Sequence, residues 1–281
     1  MELQIKSLKN PVYAIAFCII ALSLFSCEEQ KRVIEPFVPT GDRVVLLEEF
    51  TGKGCTNCPK GSREIENLLT LFPDNLVAVS IHAGFFANPD LFPIGQYDLR
   101  APQAQELYNL LGPNLGYPAG VVNRTLVNGD MQIGANQWSS AISRELQTPP
   151  AVELSIVKEY NPVSRELSVS VTGIAKQDLT GDVRLSVMLT ESGIVDAQDD
   201  QEFGGIDPNY VHKHVLRTML TPVNGVAVGT SFISGQPFTQ TFSITLEPNW
   251  NADEMEIIAF VSNVQGSVFP VLQAVSVHLA E

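Results

Sequence analysis

The chain has 281 residues, with 17 basic and 31 acidic side chains and a formal charge of −14. That length allows two domains of ordinary size. A surface of this sign repels nucleic acid and anionic lipid headgroups, which argues against both as partners.

Residues 1–26 read as a secretory leader. Lys6 and Lys9 form a basic start, and Val12 to Phe25 is an uncharged, mostly apolar run of 14 residues. A bilayer span needs about 20 such residues, so the run suits a signal-peptide core instead. Leu24-Phe25-Ser26-Cys27 resembles a bacterial lipobox, which implies a diacylated Cys27 as the new N-terminus. The competing reading is an ordinary signal peptide with a cysteine near its cleavage site. Residues 27–42 then form a charged, flexible tether through Pro36 and Pro39. An acylated cysteine holds a protein on a membrane without a transmembrane helix. Glu28 after the cysteine fits sorting to the outer membrane, with the face left open. Losing Lys6, Lys9 and Glu2 with the leader takes the formal charge to −15.

Arg43 to Phe50 reads as a buried strand, since Val-Val-Leu-Leu is a continuous apolar run. It feeds a turn bracketed by Gly52 and Gly54, then Cys55-Thr56-Asn57-Cys58. Ile65, Leu68, Leu69 and Phe72 recur at helical spacing and predict an amphipathic helix over 56–72, ended by Pro73. Leu76–His82 alternates as a second strand, and residues 84–100 look like an irregular insertion. Ala104, Leu107, Tyr108 and Leu111 predict another helix. Tyr117-Pro118-Ala119-Gly120-Val121-Val122 enters a third strand, and Asn128-Gly129 signals a hairpin to a fourth near Met131–Ile133. Trp138, Ala141, Ile142 and Leu146 mark a closing helix.

Thr148-Pro149-Pro150 breaks this pattern and is the expected domain boundary, between 43–148 and 151–281. Seven alternating runs follow, at 152–157, 167–171, 183–189, 212–220, 238–246, 255–261 and 272–279. About seven strands joined by turns read as an antiparallel sandwich of immunoglobulin type. The expected fold class is therefore an α/β thioredoxin-like domain followed by an all-β immunoglobulin-like sandwich.

Cysteine usage points to the first domain. Cys18 leaves with the leader and Cys27 is the lipidation candidate, so Cys55 and Cys58 can bridge only each other within the chain. A bridge closing so small a loop adds little stability through chain entropy, which favours a pair kept for chemistry. Backbone N–H groups at a helix N-terminus stabilise a thiolate. Cys55, just ahead of the helix, is expected as the exposed nucleophile and Cys58 as the buried resolving thiol. Lys53 and Lys60 are close enough in sequence to lower a thiol pKa. Pro59 is tolerated early in the helix because its missing N–H has no intrahelical partner there.

These residues resemble the thioredoxin superfamily. The resemblance implies that Glu49, six residues before Cys55, is a buried acid relaying the Cys58 proton, with a pKa raised by burial. It implies also that Pro118 is a cis-proline facing the dithiol, leaving backbone free to pair with an extended substrate. Gly54 departs from the tryptophan usual before the first cysteine, and Thr56-Asn57 matches neither reducing nor oxidising relatives. The chain also resembles the 28-kDa outer membrane protein (Omp) family of Gram-negative lipoproteins. That likeness rests on the lipobox, Glu49-Phe50-Thr51-Gly52-x-x-Cys55-x-x-Cys58-Pro59, Tyr117-Pro118-Ala119-Gly120 and Val211-His212-x-His214-Val215-Leu216-Arg217.

Weaker signals have bland readings beside them. His82 ends the second strand and either tunes a thiolate or has no role. His212 and His214 fall on one face of the expected 212–220 strand, where two ligands alone make a poor metal site and packing is the commoner use. Asp196, Asp199, Asp200 and Glu202 read as a solvated acidic loop that matches no EF-hand. Asn123-Arg124-Thr125 is a chance glycosylation sequon. No metal and no cofactor are expected. The leading functional expectation is an outer-membrane lipoprotein with a redox-capable CxxC, acting by thiol–disulfide exchange on envelope proteins. The alternative is a non-enzymatic surface binding or adhesion lipoprotein with a static disulfide, and a metal carrier using the cysteines with His82 comes third.

Overall fold

The computed structural model describes residues 41–112, 116–266 and 268–280. The leader, Cys18, Cys27 and tether residues up to 40 lie outside the described residues. From residue 41 onward these form one compact unit. Among the described residues no helix is long and apolar enough to cross a membrane.

Strand β1 (Val45–Thr51) and strand β2 (Leu76–His82) are buried at every position and run parallel, with Glu49 opposite Ser80. Between them helix α1 (Cys58–Leu71) buries Cys58, Gly61, Ile65 and Leu68 along one stripe. The Phe72 N–H closes it onto the Leu68 carbonyl at 2.8 Å, and Pro73 prevents continuation. Residues 83–103 contain only a 3₁₀ turn, Phe85–Ala87. Helix α2 (Ala104–Leu110), strand β3 (Ala119–Val122), the two-residue β4 (Ile133–Gly134) and helix α3 (Ala135–Glu145) follow. Trp138 of α3 is fully buried and donates its indole N–H to the Ile133 carbonyl at 3.1 Å, fastening the helix to β4.

Ten strands complete the chain. They are β5 (Val152–Tyr160), β6 (Glu166–Ala175), β7 (Leu179–Glu191), β8 (Ile194–Asp200), β9 (Gly205–His212), β10 (Val215–Met219), β11 (Val226–Phe232), β12 (Pro237–Thr245), β13 (Met255–Val264) and β14 (Val271–His278).

Their pairing corrects the expected fold class. The chain is 47% strand and 16% helix, which is not an α/β thioredoxin fold followed by a separate sandwich. One nine-stranded mixed sheet runs β14-β13-β7-β10-β2-β1-β3-β4, with β11 also on β7. The join is β10, a strand of the second half: Val215 pairs with Ser80, and the Ser80 N–H donates to the His214 carbonyl at 2.7 Å. A strand buried on both faces leaves a row of N–H and C=O groups along each edge, and β2 satisfies its second edge with β10. The first hydrophobic core accordingly mixes both halves, with Leu46, Phe50, Val79 and Leu107 beside Met188, Leu216 and Phe260.

The opposite faces of β7 and β13 supply Leu185, Val187, Leu189, Ile257 and Ala259 to a second core. The three-stranded sheet β12-β6-β5 closes it with Leu167, Val169 and Val171. The expected strand 212–220 is two strands, split by His214 at φ +54°. Where the acidic pattern suggests loop, strands β8 and β9 form a two-stranded sheet of their own over the CxxC turn.

Candidate functional site

Cys55 and Cys58 form a disulfide, with Cα atoms 5.4 Å apart, at the start of α1. Both are buried, at 3% and 1% exposure, so Cys55 is not the exposed sulfur expected from its place ahead of the helix. The cover is the β8–β9 hairpin. Gln198 of β8 donates its side-chain amide to the carbonyls of Gly52 and Cys55 at 3.3 and 3.1 Å. The Asp199 and Gln201 N–H groups donate to the Lys53 and Thr56 carbonyls, each at 2.9 Å. A second layer comes from the irregular segment. The Gly54 N–H donates to the Phe86 carbonyl at 3.0 Å, and a Cβ on Gly54 would lie 2.2 Å from the Phe92 ring. That contact explains why glycine stands before the first cysteine: the space for a side chain is already filled by Phe92.

Beneath the first turns of α1 lies Glu49, wholly buried. Its Oε2 accepts from the Ser80 hydroxyl at 3.0 Å, while Oε1 has no hydrogen-bond partner among the described residues. Burial pushes this carboxyl up to about 8, against the smaller pull of the Ser80 hydrogen bond. Gly61 lets α1 settle onto both the acid and the proline: its Cβ would lie 2.8 Å from Glu49 Oε1 and 2.8 Å from Pro118 Cβ. The Tyr117–Pro118 bond is cis, and the Tyr117 hydroxyl donates to the Ala83 carbonyl at 2.6 Å. The structure thus brings Glu49 and Pro118 against the helix that carries Cys58. An open groove of about 500 Å³ runs along this flank of α1, lined by Asn57, Lys60, Gly61, Pro118, Asn136 and Ser139.

A buried polar layer surrounds the turn. Lys53 is buried and directs its ammonium to Asp196 Oδ2 at 2.9 Å and to the Tyr97 carbonyl, so it serves the fold and not a thiolate. Burial works against ionisation of Asp196. Lys53 and the N–H groups of Tyr97 and Gln96 outweigh it and hold the carboxyl below its ordinary range. His82 sits 5.5 Å, ring to ring, from His212. Burial depresses both imidazoles, His212 to about 4, and for His82 the charges of His212, Lys53 and Arg217 add to the effect. No group of three metal-ligating side chains occurs among the described residues.

Two other expectations change, and the chance reading of the sequon gains a physical reason. The acidic run is not a solvated loop: Asp196 and Asp200 are buried in β8 and answer Lys53 and Arg63. His212 and His214 do not share a strand face, because His212 ends β9 while His214 lies beyond it against Glu66 at 3.1 Å. Asn123 is fully buried, accepting from the Leu46 N–H at 2.9 Å and donating to Glu145 at 3.2 Å, so its amide is not available to a sugar. Ser80, Tyr210 and Gln198 join the site without a strong signal in the sequence. Ser80 alone leaves a trace there, as the one hydroxyl inside the apolar run 76–81.

The sequence profile of the outer membrane protein Omp28 family matches residues 104–280, well over half of the chain. The chain belongs to the Omp28 family. Membership associates this Omp28 protein with the outer membrane. The matched region includes Pro118 and begins after Glu49, Cys55 and Cys58, so the family match is silent on the disulfide. No curated protein matches the chain in sequence.

Among solved structures, HBP35 of Porphyromonas gingivalis is similar, with a TM-score of 0.68 at 17% identity over 87% of this chain and 77% of that one. A protein of Agrobacterium tumefaciens gives a TM-score of 0.51 at 12% identity, covering 85% of this chain and 96% of its own. Likeness at such identities concerns the fold alone. A domain of the outer membrane lipoprotein Omp28 from Porphyromonas gingivalis is 23% identical over 46% of this chain and 88% of its own, with a TM-score of 0.31.

Proposed function

We propose that this Omp28 protein is anchored in the outer membrane through lipid on Cys27 and uses Cys55–Cys58 for thiol–disulfide exchange with envelope proteins. The observation that carries this reading is Glu49. A buried carboxyl with an oxygen that has no partner among the described residues costs a fold roughly several kcal/mol in lost hydration. A static disulfide has no use for it. A dithiol does, because resolution needs an acceptor for the second thiol's proton.

In the reducing direction, the Cys55 thiolate attacks a substrate disulfide and expels one substrate thiolate. Glu49 takes the proton of Cys58, whose sulfur then attacks Cys55 Sγ and expels the second substrate thiolate. Two electrons pass from the protein to the substrate, and the reverse sequence oxidises a substrate dithiol. The groove beside Asn57 and Pro118 has room for an extended chain.

A second reading, a surface binding lipoprotein with an inert disulfide, is favoured by the burial of both sulfurs beneath Gln198. Titrating the pair against glutathione, with insulin reduction assayed for wild type and Cys55→Ala, separates the two. Exchange predicts turnover that Cys55→Ala abolishes. A potential below about −300 mV with no turnover leaves the inert bridge.

A further inference from the structure

Helix α1 has a hollow on each flank. The open groove beside Pro118 lies toward β3, and neither Glu49 nor Ser80 lines it. A smaller cleft of about 270 Å³ lies toward β10, between α1 and the β9–β10 connection, and is lined by Ser62, Arg63, Ser80, Tyr210, Val211 and His214. Ser80 is buried, stands opposite Glu49 in the β1–β2 ladder, and donates to its Oε2 at 3.0 Å. Tyr210 pairs with Ser62 and feels the Glu49 charge. On the groove side, Gly61 and Pro118 close over Glu49 Oε1 with no space for even a methyl group.

We infer that the cleft is a proton port, through which Glu49 exchanges its proton with water by way of the Ser80 hydroxyl, on the flank opposite the substrate groove. Its use in turnover rests on the thiol–disulfide reading; the port itself does not. During resolution the Cys58 proton moves to Glu49, the Cys55–Cys58 bond forms and the bond from Cys55 to substrate breaks. On re-reduction the departing Cys58 thiolate takes a proton back from Glu49, and the port lets the acid equilibrate with solvent between the two steps. Ser80 gives its hydroxyl proton to a water in the cleft and takes the one on Glu49, so one proton reaches solvent and Ser80 is unchanged. Because the port opens away from the groove, the acid can reset while a substrate chain still covers Pro118.

Among the groups around Glu49 are Ser80 from β2, Gly61 from α1, Pro118 before β3 and Gly120 opposite it in β3, with Tyr210 from β9 near enough to feel its charge. Of these only Tyr210 titrates, and burial raises its hydroxyl further from neutrality. At the rim, Arg63 is held by Asp200 and Glu202, and Lys213 and His214 by Glu66.

The test follows the infrared carboxyl band of Glu49 in the full chain with its disulfide intact, at mildly acidic pH. The band is identified by its loss in Glu49→Gln. After transfer to heavy water, wild type and Ser80→Thr, which keeps the hydroxyl, should exchange at similar rates. Ser80→Ala should exchange roughly tenfold or more slowly, as should Val211→Trp, which fills the cleft from a half-exposed position. Ser80→Ala should also raise the Glu49 midpoint, since it removes the hydrogen bond that favours the carboxylate. Equal exchange rates in all four proteins overturn the port. Insulin turnover is scored separately: slowed exchange without any turnover leaves the port standing and sinks the exchange reading, while turnover with unslowed exchange removes the port alone.

Discussion

Glu49→Gln should flatten the pH dependence of stability between weakly acidic and mildly alkaline conditions. In the folded protein the carboxyl is pushed from its ordinary 4.5 to about 8, chiefly by burial. Between those values the folded state keeps a proton that the unfolded chain has released, so wild-type stability falls as pH rises through this window. Each pH unit is worth about 1.36 kcal/mol, and the full window amounts to about 3–5 kcal/mol. Gln mimics the protonated acid in size and can still pair with Ser80. The variant should therefore match wild type to within about 1 kcal/mol at the acidic end and exceed it by about 3–5 kcal/mol at the alkaline end. Urea unfolding of both proteins across the window measures this directly. The depressed His82 and His212 titrate in both proteins, so they cancel in the difference. Parallel curves for the two proteins would refute the claim that Glu49 is buried and protonated.

Asp196→Asn breaks the buried pair with Lys53 and should cost about 3–5 kcal/mol in urea unfolding, with much of it recovered in Lys53→Met/Asp196→Leu. Gly54→Ala forces a Cβ to 2.2 Å from the Phe92 ring and should cost about 1–3 kcal/mol; Phe92→Leu should relieve part of that in a double-mutant cycle. Cys27→Ala should move the protein from the membrane to the soluble fraction of the envelope and abolish its labelling by fatty acid; a membrane-bound, labelled variant would count against the anchor.

Much of the candidate site is legible in the amino-acid sequence. The apolar run 44–47, the bracketing glycines and the helical spacing after Cys58 are local signals, and each reports its own strand, turn or helix. Glu48 and Glu49 are both conspicuous in an apolar run because charge there needs a reason, and only the resemblance to thioredoxins singles out Glu49. The cover over the disulfide is not legible. Strand β8 carries Asp196, Asp199 and Asp200, and a pattern of carboxylates reads as solvated until its partners are known. Those partners, Lys53 and Arg63, lie more than a hundred residues away.

The same limit explains the architecture. Hydropathy periodicity tells which faces of a strand are buried and is blind to its edges. It locates β1, β2 and most strands of the second half, and Thr148-Pro149-Pro150 then suggests two independent units. Only the tertiary structure shows that β10 fills the open edge of β2 and carries one sheet through both halves. Backbone hydrogen bonds between strands are the same for any residue pair, so no side-chain pattern announces them. The sequence by itself picked out Cys55-x-x-Cys58, and the resemblance to thioredoxins pointed to Glu49 and Pro118; pairing across long chain separations decided that the cysteine pair lies covered.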